Sequence, residues 1–243
     1  GTYYPEGGFY SVVKSLVDLA LEKNVKIECN AEVSRINIEN SRVKSLTVNK
    51  EIINFDAVIA GADYHHVEQK LLDKKYRNYS ESYWDKRELA PSSLLFYVGV
   101  NKKLSNLKHH TLFFDEDFDN HAKEIYDEPA WPKKPLFYMS CASLTDKNVS
   151  PEGMENLVFL IPLAPGLHDS EEMREKYFEM ILKRLNQLTG NDIAENIVVK
   201  ESYCVKDFEQ DYNAFKGNAY GLANTLRQTA ILKPRMRNKK IKN

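Results

Sequence analysis

Apolar residues recur every three or four positions near the start of the chain, and this spacing places them on one face of a helix. They are Phe9, Val12, Val13, Leu16, Leu19 and Ala20. We predict a helix over residues 9–23, preceded by a turn at Gly7 and Gly8. A second amphipathic stretch, residues 170–188, has Asp169 or Ser170 to cap its start and Gly190 to end it, so we predict a second helix there.

Alternating apolar and polar residues predict β-strands in two parts of the chain. The early strands are residues 25–29, 32–38 and 43–48, with a turn at Asn40-Ser41, and a short apolar strand at 56–60. The later strands are residues 93–100, 111–114, 136–142, 157–163 and 197–203. We expect a β-meander, then a mixed, largely antiparallel sheet covered by the helix at 170–188. The predicted fold class is α/β with mixed α+β character.

Charge and composition narrow the possible partners. The chain has 243 residues, with 34 basic and 35 acidic side chains, and this balance removes the electrostatic argument for nucleic acid. The C-terminal residues 233–242 are the exception, because they carry six cations and no acid. The three cysteines, Cys29, Cys141 and Cys204, are far apart, which fits reduced thiols in a cytosolic protein. No apolar run approaches the roughly 20 residues of a membrane span.

The spacing of residues alone identifies few candidate binding or catalytic side chains. The chain contains neither G-x-G-x-x-G nor G-x-x-x-x-G-K-[ST], so no phosphate loop of those kinds is predicted. The histidines lack metal-ligand spacing, and we predict no metal site and name no catalytic side chain. Gly61-Ala62-Asp63 follows an apolar strand, where α/β proteins commonly bind ligands. The turn from Gly217 to Gly221, which precedes a predicted helix at residues 222–230, is either a close-packed turn or a loop held against a cofactor.

Five stretches, in order along nearly the whole chain, carry a family resemblance. They are Tyr4-Pro5-Glu6-Gly7-Gly8; Ala62-Asp63-Tyr64; Ser93-Leu94-Leu95-Phe96-Tyr97 through His109-His110-Thr111; Asp207-Phe208-Glu209; and Gly217-Asn218-Ala219-Tyr220-Gly221-Leu222-Ala223 with Gln228 and Pro234-Arg235. With these stretches the sequence resembles the bacterial phytoene desaturase family of carotenoid oxidoreductases, whose fold is similar to that of amine oxidase flavoproteins.

The resemblance implies FAD as cofactor and a long apolar polyene as substrate. It divides the chain into a partial Rossmann-like FAD-binding segment (1–64), a substrate-binding domain (65–205) and a return segment toward the flavin (206–243). The family's two glycine-rich flavin segments are expected outside residues 1–243, so we expect an interior fragment that binds FAD weakly or not at all. The implied cofactor-binding residues are Val33, Gly61, Ala62, Asp63, Gly217, Tyr220, Gly221 and Leu222.

An extended hydrocarbon offers no charge, so only an apolar channel can hold it. The candidate wall residues are Phe96, Tyr97, Phe113, Phe137, Tyr138 and Phe159. Because such a substrate resides in lipid, we expect a cytoplasmic protein bound peripherally to the inner membrane face. Residues 74–89 mix aromatic and basic side chains and are a candidate membrane patch, although a surface helix with inward-packed aromatics explains them equally well.

Other functions remain open from the sequence. Carotenoid isomerases, retinol saturase-like enzymes and ketolase-like oxidases are relatives of this family that share its motifs. An amine-oxidase-like flavoenzyme with a polar substrate is a second class, and a non-catalytic module that binds an apolar ligand or a membrane is a third. A long apolar tunnel open toward a membrane face favours the polyene enzyme, whereas an aromatic cage around a flavin favours the polar substrate.

Overall fold

The structure is a computed structural model and describes residues 3–243. The chain forms two compact units. The first contains the residues up to Ile27 together with Ser93–Val205, and the second contains Glu28–Ser92 together with Lys206–Asn243. The functional division at residues 64 and 205 stays a prediction.

Helices and strands are interspersed along the chain. The helices are α1 (Tyr10–Glu22), α2 (Tyr64–His66), α3 (Glu81–Asp85), α4 (Phe118–Tyr126), α5 (Glu171–Thr189) and α6 (Val205–Tyr212). The strands are β1 (Val33–Glu39), β2 (Arg42–Val48), β3 (Glu51–Asn54), β4 (Ser92–Val100), β5 (His110–Phe113), β6 (Phe137–Ser140), β7 (Glu155–Leu163) and β8 (Ile197–Tyr203). The mixed α/β class predicted from the sequence is confirmed.

A five-stranded sheet in the order β5-β6-β7-β4-β8 forms the centre of the first unit. The pairs β5–β6, β6–β7 and β4–β8 are antiparallel. Every second side chain along β7 is buried, as expected for a strand with one face in a core. The five strands predicted between residues 93 and 203 are therefore confirmed, with ends that differ by at most two residues.

Helix α5 covers one face of this sheet. Ser170 caps its start by accepting a hydrogen bond from the Met173 amide, and Gly190 ends it in the left-handed conformation at φ 77°. Its buried face packs into the same apolar core as Phe96 of β4, and the Phe96 and Phe178 ring centroids lie 4.9 Å apart. The predicted helix and its position across the sheet are confirmed.

The second unit contains the antiparallel sheet β1-β2-β3. Asn40 and Ser41 both adopt positive φ, at 50° and 59°, which is the geometry of a two-residue hairpin turn. Asn49 and Lys50 form a second turn of this kind, with φ of 46° and 72°. Two strands of the predicted meander are confirmed as β1 and β2, and the second turn adds β3, which the sequence analysis did not predict.

Three predicted elements are wrong. Residues 25–29 and 56–60 are not strands, because a strand requires a neighbour that completes its backbone hydrogen bonds. Val25 instead donates to the Ala20 carbonyl at the end of α1, at 2.9 Å, and the side chain of Ile59 is 99% exposed. Residues 222–230 do not form a continuous helix; a short 3-10 turn at Leu226–Gln228 lies within them and another follows at Ala230–Leu232.

Candidate functional site

The sheet face opposite α5 presents apolar side chains that are not sealed in the core. We call this surface the open face. Strand alternation assigns it one side chain in two from each strand. Its apolar members are Leu95, Tyr97, Leu112, Tyr138, Val158, Leu160 and Val199.

Strand register places the open-face residues in a continuous row. Tyr138 pairs with Leu112 on one side and with Leu160 on the other, and directly opposed residues share a face of the sheet. Leu112 is 59% exposed and Tyr97 is 45% exposed. The result is a hydrocarbon surface that extends across several strands, as a long apolar ligand would require.

The six predicted wall residues divide between the two faces. Tyr97 and Tyr138 belong to the open face, whereas the other four contact protein side chains within the core. Phe113 stacks on Phe137 with centroids 4.2 Å apart, and Phe137 lies 6.3 Å from Phe159. Phe96 and Phe159 are completely buried. In this packing the four phenylalanines support the sheet, and the tyrosines lie where a ligand has access.

Two histidines lie at the β5 end of the sheet. His110 Nδ1 is 2.6 Å from the Tyr138 hydroxyl, and His109 Nδ1 is 2.6 Å from Thr145 Oγ1. The Tyr4 ring contacts the His109 ring edge to face, with centroids 4.5 Å apart. Desolvation, with a smaller contribution from His110, lowers the pKa of His109, which favours the neutral form of its imidazole.

Asp146 fixes the glycine turn that carries part of the family resemblance. Its Oδ2 accepts a hydrogen bond from the Gly7 amide at 2.7 Å, and its Oδ1 accepts one from the Asn148 amide at 2.9 Å. Donation from the Asn148 and Gly7 amides lowers the pKa of Asp146, since hydrogen bonds to a carboxylate favour its charged form. The first and third resemblance stretches therefore meet beside the sheet, through Tyr4 and His109.

The second unit contains a cavity of about 600 Å³ with mostly apolar walls. Ala62 lines it, as do Val58 and Ala60 before it. Arg237 and Lys242 provide positive charge at the same cavity. Apolar walls combined with cations suit a ligand that joins an aromatic ring to phosphate groups.

The other residues predicted near the nucleotide have local roles in this unit. Asp63 caps α2, because its Oδ1 accepts a hydrogen bond from the His66 amide at 3.0 Å. Val33 begins β1 and packs at the edge of the small apolar core of this sheet. Gly61 has no heavy atom within 4 Å of the position that a Cβ would occupy, which leaves room beside its backbone.

The loop with the predicted flavin contacts is held against residues 88–92. The Ala90 amide donates to the Gly221 carbonyl at 2.9 Å, and Leu222 forms an isolated bridge with Leu89. Ser92 Oγ donates to the Gly217 carbonyl at 2.5 Å. Tyr220 is 71% exposed. Of the two interpretations left open by spacing, the hydrogen bonds favour a firmly packed turn, and Tyr220 is the side chain that it presents outward.

The sequence analysis did not single out Leu112, Leu160 or Asp146. The alternation of apolar residues in β5 and β7 could have identified the first two as members of a common face. Only the fold brings Asp146 to Gly7, because they are 139 positions apart in sequence. Within residues 3–243 there is no group of three His, Cys, Asp or Glu side chains that could hold a metal ion. No helix among the described residues is long and apolar enough to cross a membrane.

Several known proteins with similar sequences are carotenoid enzymes. The carotenoid 3,4-desaturase of Haloarcula japonica is 44% identical over 98% of this chain and 48% of its own length. The 4,4'-diapophytoene desaturase of Staphylococcus haemolyticus is 31% identical over 96% of this chain and 49% of its own length. The chain thus spans about half the length of the curated relatives it matches.

The fold has solved counterparts. An oxidoreductase from Methanosarcina mazei superposes with a TM-score of 0.59 at 17% identity, covering 82% of this chain and 43% of that one. At this identity the likeness shows the fold alone. The sequence profile of the flavin containing amine oxidoreductases matches residues 1–243. The chain belongs to that family, and its similarity to carotenoid desaturases confirms the sequence resemblance.

Proposed function

We propose that the full-length protein is an FAD-dependent desaturase that removes hydrogen from a long apolar polyene in carotenoid biosynthesis. The observation that carries the proposal is the open face, an apolar surface spanning several strands. A polar amine would find little to bind along the row of Leu112, Tyr138 and Leu160, whose side chains present mainly hydrocarbon. The names of the curated relatives support the same substrate class.

The cofactor proposal rests on the cavity of the second unit. Ala62, Val58 and Ala60 would contact the adenine end of FAD, and Arg237 and Lys242 would face its phosphates. Gly217, Gly221 and Leu222 would lie nearer the ring system. Bound FAD would supply the two-electron oxidation that desaturation requires. Residues 1–243 contain no G-x-G-x-x-G loop, so we expect them to bind FAD weakly when the rest of the protein is removed.

The polyene itself implies the cellular location. A long hydrocarbon has negligible solubility in water and must pass from a bilayer to the protein. We therefore place the enzyme in the cytoplasm, bound peripherally to the inner face of the membrane. This location also explains why an apolar surface of this size would be retained near the site.

Desaturation of a colourless polyene tests the proposal directly. The full-length protein, supplied with FAD and with phytoene or diapophytoene in liposomes, should yield products that absorb at longer wavelengths, and omission of FAD should abolish them. Leu112→Asp should lower kcat/KM at least about tenfold, because a carboxylate in the apolar row must be desolvated when the polyene binds. The matched control is Leu188→Asp, at a position that is 51% exposed on α5, and it should leave kcat/KM within about twofold.

The outcomes separate the two parts of the proposal. If no polyene in the series changes its absorption spectrum, the desaturase function is wrong. If the wild-type protein is active and Leu112→Asp has the same kcat/KM as Leu188→Asp, then the reaction is correct but the open face is not where the polyene binds.

A further inference from the structure

A buried carboxylate in the second unit follows directly in sequence after Val67, which lines the cavity. Glu68 is 1% exposed, and acidic side chains are almost never buried to this extent unless polar partners satisfy them. Its Oε2 atom accepts hydrogen bonds from two successive backbone amides, from Asn78 at 2.7 Å and from Tyr79 at 3.0 Å. This one side chain therefore fixes the backbone of residues 76–79, which we call the anchor loop.

The residue after Glu68 reinforces the anchor loop. Gln69 is 5% exposed, and its Nε2 donates to the Tyr79 carbonyl at 2.9 Å. Arg77 donates from Nη1 to Gln69 Oε1 and from Nη2 to the Gln69 carbonyl, both at 2.8 Å. Burial raises the pKa of Glu68, and the two amide hydrogen bonds and the charges of Lys240 and Arg77 oppose that shift. The anchor loop is thus held by buried polar contacts and not by surface pairs alone.

Aromatic side chains pack around the anchor loop. Trp84 is 2% exposed, and its ring lies 5.1 Å from the Tyr64 ring, centroid to centroid. The Tyr79 and Tyr83 rings stack on each other with centroids 4.2 Å apart. The sequence left two interpretations of residues 74–89, a membrane patch and a surface with inward-packed aromatics, and these contacts favour the second.

The anchor loop in turn holds residues 235–240, which we call the strap. Each of the four loop residues accepts one hydrogen bond from the strap. The bonds run from the Arg235 amide to the Tyr79 hydroxyl at 2.8 Å, from Asn238 Nδ2 to the Tyr76 carbonyl at 2.8 Å, from the Lys239 amide to Asn78 Oδ1 at 3.2 Å, and from Lys240 Nζ to the Arg77 carbonyl at 2.5 Å. The strap belongs to no helix or strand, so these bonds set much of its path.

The strap forms one wall of the cavity that we assign to FAD. Met236, Arg237 and Asn238 line the cavity from the strap, and Val67 lines it from the turn that carries Glu68. Arg237 lies between strap residues that the anchor loop binds, so its position beside the cavity depends on the bonds of its neighbours. Two successive sets of hydrogen bonds therefore connect Glu68 to the cation at the cavity.

We propose that Glu68 is a positioning residue for the cofactor, because through the anchor loop it holds the strap where Arg237 faces the phosphates of FAD. The inference rests on the proposed function, since the cavity matters to the reaction only if FAD binds there. A strap that is not anchored would have to be ordered when FAD binds, and this loss of conformational entropy would weaken binding. Glu68 thus contributes to FAD affinity without touching FAD.

Titration of the full-length apoprotein with FAD, followed by quenching of flavin fluorescence, tests the role of Glu68. Glu68→Leu leaves both amides of the anchor loop without an acceptor and should raise the Kd for FAD at least about tenfold. Glu68→Gln keeps a side-chain oxygen that can accept both bonds and should stay within about threefold of the wild type.

The matched control is Glu155→Leu, which removes a carboxylate that is 3% exposed in the first unit. It should lower the melting temperature but leave the Kd for FAD within about twofold, because it does not act on the strap. Asn78→Ala removes only the acceptor of the Lys239 amide, and it repeats the test if Glu68→Leu does not fold. In the double variant the two changes should raise the Kd by less than the product of their separate effects, because both act through the anchor loop.

Hydrogen exchange of the apoprotein separates positioning from a general structural role. In Glu68→Leu the strap amides should exchange at least about tenfold faster, while the amides of β1 and β2 keep their wild-type rates. Strap amides that exchange at the wild-type rate in a folded Glu68→Leu protein would overturn the inference.

Arg237→Gln distinguishes the failure of this inference from the failure of the proposed cofactor site. It should raise the Kd for FAD at least about threefold, because it removes a charge that faces the phosphates. If it does so while Glu68→Leu binds FAD as the wild type does, the role of Glu68 is wrong and the cofactor site stands. If neither variant changes the Kd, the cavity is not the cofactor site and both proposals fall.

Discussion

Helices α5 and α1 carry similar sequence patterns and have opposite surroundings. Both repeat apolar residues at three- and four-residue spacing, and both were predicted to within a few residues. Helix α5 buries Tyr177, Phe178, Ile181 and Leu185 against the sheet, whereas α1 buries no residue. Leu16, at the centre of the apolar face of α1, is 63% exposed. An amphipathic pattern therefore identifies a face that can be buried, but it does not identify what the face packs against.

The largest difference between the helices should come from their ion pairs. Arg174 of α5 and Asp169 have side chains only 9% and 3% exposed, and Arg174 Nε donates to Asp169 Oδ1 at 2.8 Å. Arg174→Ala removes this buried ion pair and should lower the free energy of unfolding by about 3–5 kcal/mol.

The matched control is Lys14→Ala. Lys14 pairs with Asp18 on α1, with side chains 65% and 53% exposed, and its loss should cost no more than about 0.5 kcal/mol. Urea denaturation followed by circular dichroism measures both changes. A cost of less than about 1 kcal/mol for Arg174→Ala would contradict the difference inferred from burial.

The next largest effect concerns the apolar faces themselves. Ile181 is 1% exposed within the core, so Ile181→Ala should cost about 2–5 kcal/mol through lost burial and the cavity left behind. Leu16→Ala on α1 should change the free energy of unfolding by less than about 0.5 kcal/mol. The same denaturation experiment compares them. Similar costs at the two positions would mean that α1 is packed in solution in a way that the structure does not show.

The smallest effect concerns the helix starts. Ser170 accepts a hydrogen bond from the Met173 amide at 3.3 Å, whereas Phe9 precedes α1 without a side-chain cap. Ser170→Ala should cost about 1 kcal/mol, and Phe9→Ala should stay within about 0.5 kcal/mol because it removes no capping bond. Thermal unfolding resolves a difference of this size. If the two substitutions lower the melting temperature equally, capping does not distinguish the helices.

The strands that the sequence predicted well are those whose pairing partners lie within the described chain. Strand β8 was predicted to the residue, and it pairs with β4. Residues 56–60 have strand-like composition but no pairing neighbour among residues 3–243. Composition alone therefore predicted a strand that does not form. The helix predicted at residues 222–230 does not form, and the reason is local. The Gln228 side chain forms hydrogen bonds with the backbone amide and carbonyl of Glu88 and anchors a turn.

The sequence predicted that the candidate site is apolar, but it did not predict which face of the sheet carries it. Aromatic strands correctly indicated an apolar sheet, and alternation implied that the candidate wall residues could not all point the same way. Which alternate set faces α5 depends on how the sheet packs, and this is why Phe96 and Phe159 belong to the core while Tyr138 does not. The sequence did not indicate a role for Asp146, because its hydrogen-bond partner, the Gly7 amide, is distant in sequence.

The alternation along β7 also separates two kinds of evolutionary constraint. Leu157, Phe159 and Ile161 fill a close-packed core, where a change of even one methylene group is felt by the whole unit. Val158 and Leu160, their immediate neighbours, contribute to the open face and carry little of that packing. Substitutions at every second residue could therefore change the length or shape of the hydrocarbon that we propose the sheet binds, without a loss of stability that selection would have to repair.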